Sequence, residues 1–135
     1  MRIGVGVLLC CIVAVVVQAG EKTFSSGPQR VSLLELYTSE GCSSCPPAEA
    51  WLGHLLESPQ LWDKVVPLAF HVDYWDGLGW PDSLASPTHT QRQRAYSRQW
   101  GKAGSVYTPA FVLNGDEWRG FFGRVVVGLL SVHPR

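Results

Sequence analysis

Thr38-Ser39-Glu40-Gly41-Cys42-Ser43-Ser44-Cys45-Pro46-Pro47 places two thiols three positions apart between an apolar run and a helical pattern. Upstream, Val31, Leu33, Leu34, Leu36 and Tyr37 suit a short buried strand, and downstream Ala48, Trp51, Leu52, Leu55 and Leu56 recur at helical spacing. The pattern predicts a strand over 31–37 and a helix over 48–57 whose start lies near Ser43. A cysteine just before a helix sits at the positive end of the dipole, beside unpaired backbone N–H groups that favour thiolate over thiol. Cys42 is therefore the expected nucleophile. Cys45, one turn further in and less exposed, is the expected resolving thiol, placed to attack a mixed disulfide formed at Cys42. Pro46 and Pro47 fall in the first turn, where N–H groups have no intrahelical partner, so they lose little and preset φ. Glu40 opposes a low pKa at Cys42, and the two serines carry no charge, so these residues leave the direction of electron flow open.

Other uses of the pair compete with redox exchange. A structural zinc site needs two more cysteines or histidines at suitable spacing, and the other cysteines are Cys10 and Cys11. A static disulfide would close a loop too tight to gain much from chain entropy.

The first residues read as an export signal. Arg2 supplies a minimal positive region, Ile3 to Val17 is nearly continuous apolar sequence, and Val17-Gln18-Ala19 suits cleavage after Ala19. Gln18, Gly20, Glu21 and Lys22 end the run short of the roughly 20 apolar residues a transmembrane helix needs. A signal over 1–19 takes Cys10 and Cys11 with it, leaving Cys42 and Cys45 as one isolated pair in an exported, periplasmic or secreted chain. Such a pair suits exchange chemistry better than a disulfide framework. The 11 basic and 11 acidic residues balance, and losing Arg2 tips the remainder slightly acidic. Charge gives no case for nucleic acid as a partner, or for an anionic membrane after signal removal.

Residues 20–30 read as a flexible leader and 31–122 as one domain. Val65 to Val72 predicts a second strand, apolar enough to be covered on both faces, with Pro67 near its start or at a bulge. Asp73 to Asp82 is an aromatic loop, in which Trp75 and Trp80 either form a binding rim or pack down over the core. A helix over 90–100, capped by Thr88 or Thr90, carries Arg92, Arg94 and Arg98 on a solvated basic side. Ser105-Val106-Tyr107-Thr108-Pro109 then leads into Ala110-Phe111-Val112-Leu113, Asn114-Gly115 signals a hairpin, and Glu117 to Phe122 reads as the return strand. A Thr-Pro entering an apolar strand, far from a C-x-x-C, is where a thioredoxin-type fold keeps a cis-proline against the sulfurs.

Several blocks together resemble an uncharacterised family of bacterial exported thioredoxin-like proteins, classed as a domain of unknown function. They are Leu36-Tyr37-Thr38-Ser39-Glu40-Gly41-Cys42-Ser43-Ser44-Cys45-Pro46-Pro47-Ala48, Pro67 to Asp76, Gly79-Trp80, Arg92-Gln93-Arg94-Ala95-Tyr96 and Val106-Tyr107-Thr108-Pro109. The resemblance implies an α/β thioredoxin-like fold, a central mixed sheet with flanking helices, and export; it brings no substrate. The family looks longer at its C-terminus. The atypical tail over 123–135, rich in β-branched residues, makes a poor closing helix, so the short chain is expected to be less stable than an extended one.

The residues and the resemblance point to an exported thiol–disulfide oxidoreductase acting on protein or small-molecule thiols and disulfides without a cofactor. Cys42 and Cys45 carry the chemistry, and Thr108 and Pro109, with Trp75 and Trp80, bind substrate. His71 and Asp73, two apart at a strand end, are candidates for a proton relay. No metal is assigned, although Cu(I) bound by the two thiols with His71 in support is an alternative, as is a non-catalytic binding module.

Overall fold

A computed structural model describes residues 30–123, together with Thr23 and Pro28. The expected signal over 1–19, most of the leader over 20–30 and the tail from Arg124 onward lie outside the described residues. Four strands form one mixed sheet in the order β2-β1-β3-β4. β1 (Ser32–Thr38) lies inside it, parallel to β2 (Val65–His71) and antiparallel to β3 (Ala110–Leu113), which pairs antiparallel with β4 (Asp116–Trp118). Helix α1 (Pro46–Gly53), continued by a 3₁₀ turn over His54–Glu57, connects β1 to β2. Helix α2 (Pro87–Gln99) lies between β2 and β3.

Alternation along β1 and β3 divides the core between the two faces of the sheet. Leu34, Leu36 and Phe111 pack with Ala48, Trp51 and Leu52 on the α1 side. Tyr37, Ala110 and Val112 pack with Tyr96 and Trp100 on the α2 side. The strand bearing the dithiol loop is thus covered on both faces, which explains its apolar run. This is the expected α/β class, a four-stranded mixed sheet with flanking helices, and it is compatible with a thioredoxin-like fold.

Several local expectations are corrected. β1 is shifted by one residue from 31–37. β2 is an edge strand among the described residues rather than one covered on both faces, and Leu68 in it is 40% exposed. Pro67 therefore sits mid-strand, opposite Leu34, where an edge tolerates the missing N–H. α2 begins earlier than 90, because Ser86 rather than Thr88 or Thr90 is its cap: Ser86 Oγ accepts the Thr88 N–H at 3.3 Å. Asn114 and Gly115 make the expected hairpin turn, both with positive φ (53° and 93°). Asn114 also returns to β1, its Oδ1 accepting the Leu33 N–H and its own N–H donating to the Leu33 carbonyl, each at 2.9 Å. The return strand stops at Trp118 instead of reaching Phe122. The chain bends back there so closely that a Cβ on Gly120 would lie 2.3 Å from the Trp118 indole, and residues Gly120–Gly123 form a 3₁₀ turn.

Candidate dithiol site

Cys42 and Cys45 are joined, with Sγ–Sγ 2.07 Å and Cα–Cα 5.4 Å. The loop that carries them leaves the C-terminal end of β1 through tight turns: the Cys42 N–H donates to the Ser39 carbonyl at 3.0 Å and the Cys45 N–H to the Cys42 carbonyl at 3.1 Å. α1 starts at Pro46, later than the expected start near Ser43. Pro46 and Pro47 have no N–H with which to reach the carbonyls of Cys42 and Ser43, so the i→i−4 ladder cannot extend upstream of them. Cys45 rather than Cys42 is thus the cap residue, its carbonyl accepting from Ala48 and Glu49 at 2.9 and 3.1 Å. Both cysteines are buried, at 2% and 0% exposure, so the expected contrast between them is slight. Ser44 Oγ lies 3.5 Å from Cys42 Sγ, within hydrogen-bond reach of that sulfur.

The aromatic loop forms the wall of this site. Residues Asp73–Leu78 make a 3₁₀ turn, and the two indoles take different roles. Trp75 packs half-buried on the α2-side core, and its Nε1–H donates to Thr108 Oγ1 at 2.8 Å. Trp80 is 62% exposed, with Nε1–H donating to Glu40 Oε2 at 3.2 Å. Between them stands Gly41: a Cβ there would meet Trp75 Cβ at 3.3 Å and the Trp80 carbonyl at 3.4 Å. Leu78 and Leu84 are exposed beside Trp80 in sequence.

The Thr108-Pro109 peptide is cis. Ala110, the next residue, pairs with Tyr37, so this bond and the dithiol loop emerge at the same end of neighbouring strands. Two buried side chains of α2 hold the segment that leads into it. Gln93 Nε2 donates to the Tyr107 carbonyl at 2.7 Å, and Ser97 Oγ donates to the Ser105 carbonyl at 2.6 Å. The Gln93 Oε1 accepts from the Tyr74 hydroxyl at 3.3 Å, and burial, foremost among the influences on it, pushes that phenol up to about 12. Gln93 therefore ties the aromatic loop to the segment before Pro109. A cavity of about 250 Å³ is bordered by Trp100, Lys102, Tyr107 and Glu117; neither cysteine lines it.

His71 and Asp73 do not form the expected relay. β2 ends at His71 and the backbone turns into the 3₁₀ segment, so the two side chains no longer share a strand face. Asp73 accepts from Thr90 Oγ1, whereas His71 Nδ1 lies 2.6 Å from Asp82 Oδ2. Asp82 also accepts the Glu40 N–H at 2.9 Å and the Leu84 N–H at 2.8 Å. Burial works to raise the pKa of this carboxyl, but the donors from Glu40, His71 and Leu84 outweigh it and hold the group below the usual carboxylate range. His89 Nδ1 bonds the His71 carbonyl at 2.8 Å. Among the described residues, no group of three His, Cys, Asp or Glu is placed to hold a metal ion.

A second polar centre lies under α2. Glu35 is 1% exposed within β1, and Arg92, expected on a solvated face, pairs with it through two nitrogens. The hydroxyls of Tyr37 and Tyr96 donate to the same carboxylate at 2.8 and 3.1 Å. The hydrogen bond to Glu35 raises the Arg92 pKa, while burial and then the Glu35 bond push the Tyr37 phenol well above its ordinary value. Both polar centres escaped the sequence reading. An acidic residue inside Leu33-Leu34-Glu35-Leu36-Tyr37 was the available signal, since a carboxylate there demands a partner.

Fold and site together define an α/β domain with a paired dithiol at the end of a central strand. A family model described as "Protein of unknown function (DUF1223)" matches residues 33–123, and the chain belongs to that family. A crystal structure of a protein from Agrobacterium tumefaciens, solved as a structural-genomics target, is similar: 46% identity, TM-score 0.59, covering 69% of this chain. The chain spans 41% of that protein's length. No curated protein matches it.

Proposed function

We propose that this chain is the reactive module of an exported thiol–disulfide oxidoreductase. The observation that carries the reading is the Cys42–Cys45 pair at bonding distance, on a loop walled by Trp75 and Trp80. In the reduced form, the Cys42 thiolate attacks one sulfur of a substrate disulfide. A mixed disulfide forms, the substrate S–S bond breaks, and the departing sulfur leaves as a thiolate that takes up a proton. The Cys45 thiolate then attacks Cys42 Sγ, closes the internal disulfide and releases the second substrate thiol. Two electrons pass from protein to substrate; the reverse sequence oxidises a substrate dithiol. The sulfurs carry the electrons, so no cofactor is needed. Thr108 and Pro109 offer backbone for an extended substrate, and exposed Trp80 offers apolar contact. Partners are thiols and disulfides of proteins or small molecules in a periplasmic or secreted setting.

The test is exchange between the reduced protein and a peptide disulfide. Cys42→Ser should abolish turnover, and Cys45→Ser should accumulate the mixed disulfide at Cys42. Turnover by the wild type no faster than by the Cys42→Ser, Cys45→Ser double variant would exclude the enzyme. The exposure of Leu78, Trp80 and Leu84 favours a second reading, a non-catalytic binding module. Binding of an unfolded peptide that survives in the double variant but fails in Trp80→Ser would select it.

A further inference from the structure

His71 and Asp82 make a hydrogen-bonded path from the end of β2 to the backbone of the dithiol loop, and the exchange steps above do not use it. The Asp82 side chain has no exposed surface, whereas that of His71 keeps 17%. Asp82 Oδ2 accepts from both His71 Nδ1 and the Glu40 N–H, Oδ1 accepts the Leu84 N–H, and the Asp82 N–H donates to Asp76 Oδ1 at 3.2 Å. Glu40 stands two residues before Cys42. The next turn is closed on Ser39, which takes the Gly41 N–H on its Oγ at 3.1 Å and the Cys42 N–H on its carbonyl. Fixing Glu40 from outside therefore fixes the turn that presents Cys42.

A buried carboxylate keeps its charge only while donors occupy its lone pairs. Imidazole is the side chain that changes charge between about pH 5 and 8. With His71 neutral and Nδ1–H directed at Asp82, the pair carries one negative charge; with His71 protonated it carries none. A nearby negative charge disfavours a thiolate. We propose that Asp82 is a positioning residue for the dithiol loop and that His71, acting through Asp82, makes the reactivity of Cys42 respond to pH. The other charged groups around the pair are otherwise engaged. Asp76 takes the Asp82 N–H and Glu40 takes the Trp80 indole N–H. From α2, His89 bonds the His71 carbonyl and Thr90 occupies Asp73; from α1, Glu49 accepts from Thr38. Among the described residues, Asp82 is the charged partner of the His71 ring.

The inference rests on Cys42 being a reactive thiol, so its test follows that thiol and not turnover. The full chain, reduced, is treated with iodoacetamide from about pH 4 to 10, a span covering imidazole and thiol ionisation, and modification of Cys42 is followed by peptide mass spectrometry. The wild-type log rate should rise with pH as the thiol ionises, with a smaller inflection, a flattening, where the imidazole loses its charge and the pair turns negative. His71→Gln should lose the inflection and keep the thiol step. Asp82→Asn, which retains an acceptor for Glu40 but not the charge, should move the thiol step to lower pH, because the pair is then one unit more positive in either state of the imidazole. Should the Asp82 variant fail to fold, His71→Gln, at a partly exposed side chain, still decides. Superimposable wild-type and His71→Gln profiles would overturn the inference. An inflection lost in His71→Gln, in a protein that does not catalyse exchange, would support it and overturn only the proposed enzyme.

Discussion

Glu35 keeps its carboxylate buried because, among the described residues, three side chains donate to it, of which Arg92 brings the opposite charge. Breaking a buried ion pair from one side strands the other charge, which costs about 3–5 kcal/mol. Arg92→Met should fall near the lower bound, because Tyr37 and Tyr96 still donate and the Arg92 side chain is partly exposed. Adding Glu35→Leu should recover most of the loss, and urea unfolding of the single and double variants checks both statements. Two glycines give a second contrast. Gly41→Ala adds a Cβ tight against Trp75 and Trp80, and it should lower stability by about 1–3 kcal/mol through forced displacement of the loop. Gly53→Ala meets nothing within 4 Å at a helical φ of −60°, and it should raise stability by about 0.4–1 kcal/mol through the unfolded chain. Opposite shifts of the two urea midpoints are the expected result; a neutral Gly41→Ala would mean that the loop is not held by the aromatic wall.

Helix α2 does more than cover one face of the sheet, because its buried Gln93 and Ser97 hold the carbonyls of Tyr107 and Ser105. Loosening its first turn should therefore be felt at the dithiol site. Ser86→Ala removes the cap and should cost about 1 kcal/mol, measured as a lowered unfolding midpoint. The existence of the elements was legible in the sequence, since apolar runs and helical spacing belong to neighbouring residues. The dithiol loop, the Thr108-Pro109 entry to β3 and the Asn114-Gly115 turn were legible for the same reason. Boundaries slipped where a long-range contact decides them, as at Trp118, where the chain folds back over the indole. The polar centres were not legible: Asp82 bonds Glu40 across 42 positions and Arg92 bonds Glu35 across 57, with no local pattern to announce either. The edge position of β2 depends likewise on strand order, which its own residues do not encode.

At the scale of the molecule, two carboxylates among the described residues couple folding to pH. The hydrogen bond from Lys102, opposed by burial and aided by Arg119 and Tyr107, brings Glu117 from 4.5 down to about 2, and Asp82 is also lowered. A group whose folded pKa is depressed stabilises the fold above its unfolded pKa and loses that contribution as pH falls through the folded value. The protein should thus hold its stability down to about pH 4.5 and lose it progressively toward about pH 2. Glu117→Gln should be less stable than wild type at neutral pH and converge with it in acid; parallel curves of urea midpoint against pH would contradict the assignment. The aromatic cluster on the α1 side also makes this protein its own optical gauge. Trp51 of α1 lies 5.4 Å from Trp118 of β4 in a stacked pair, and both meet Phe111 edge-on. Transitions of two indoles so close couple and give a paired signal of opposite sign in circular dichroism. Loss of that couplet with peptide-band ellipticity unchanged would register α1 coming away from the sheet face that carries Trp118 before the sheet itself melts.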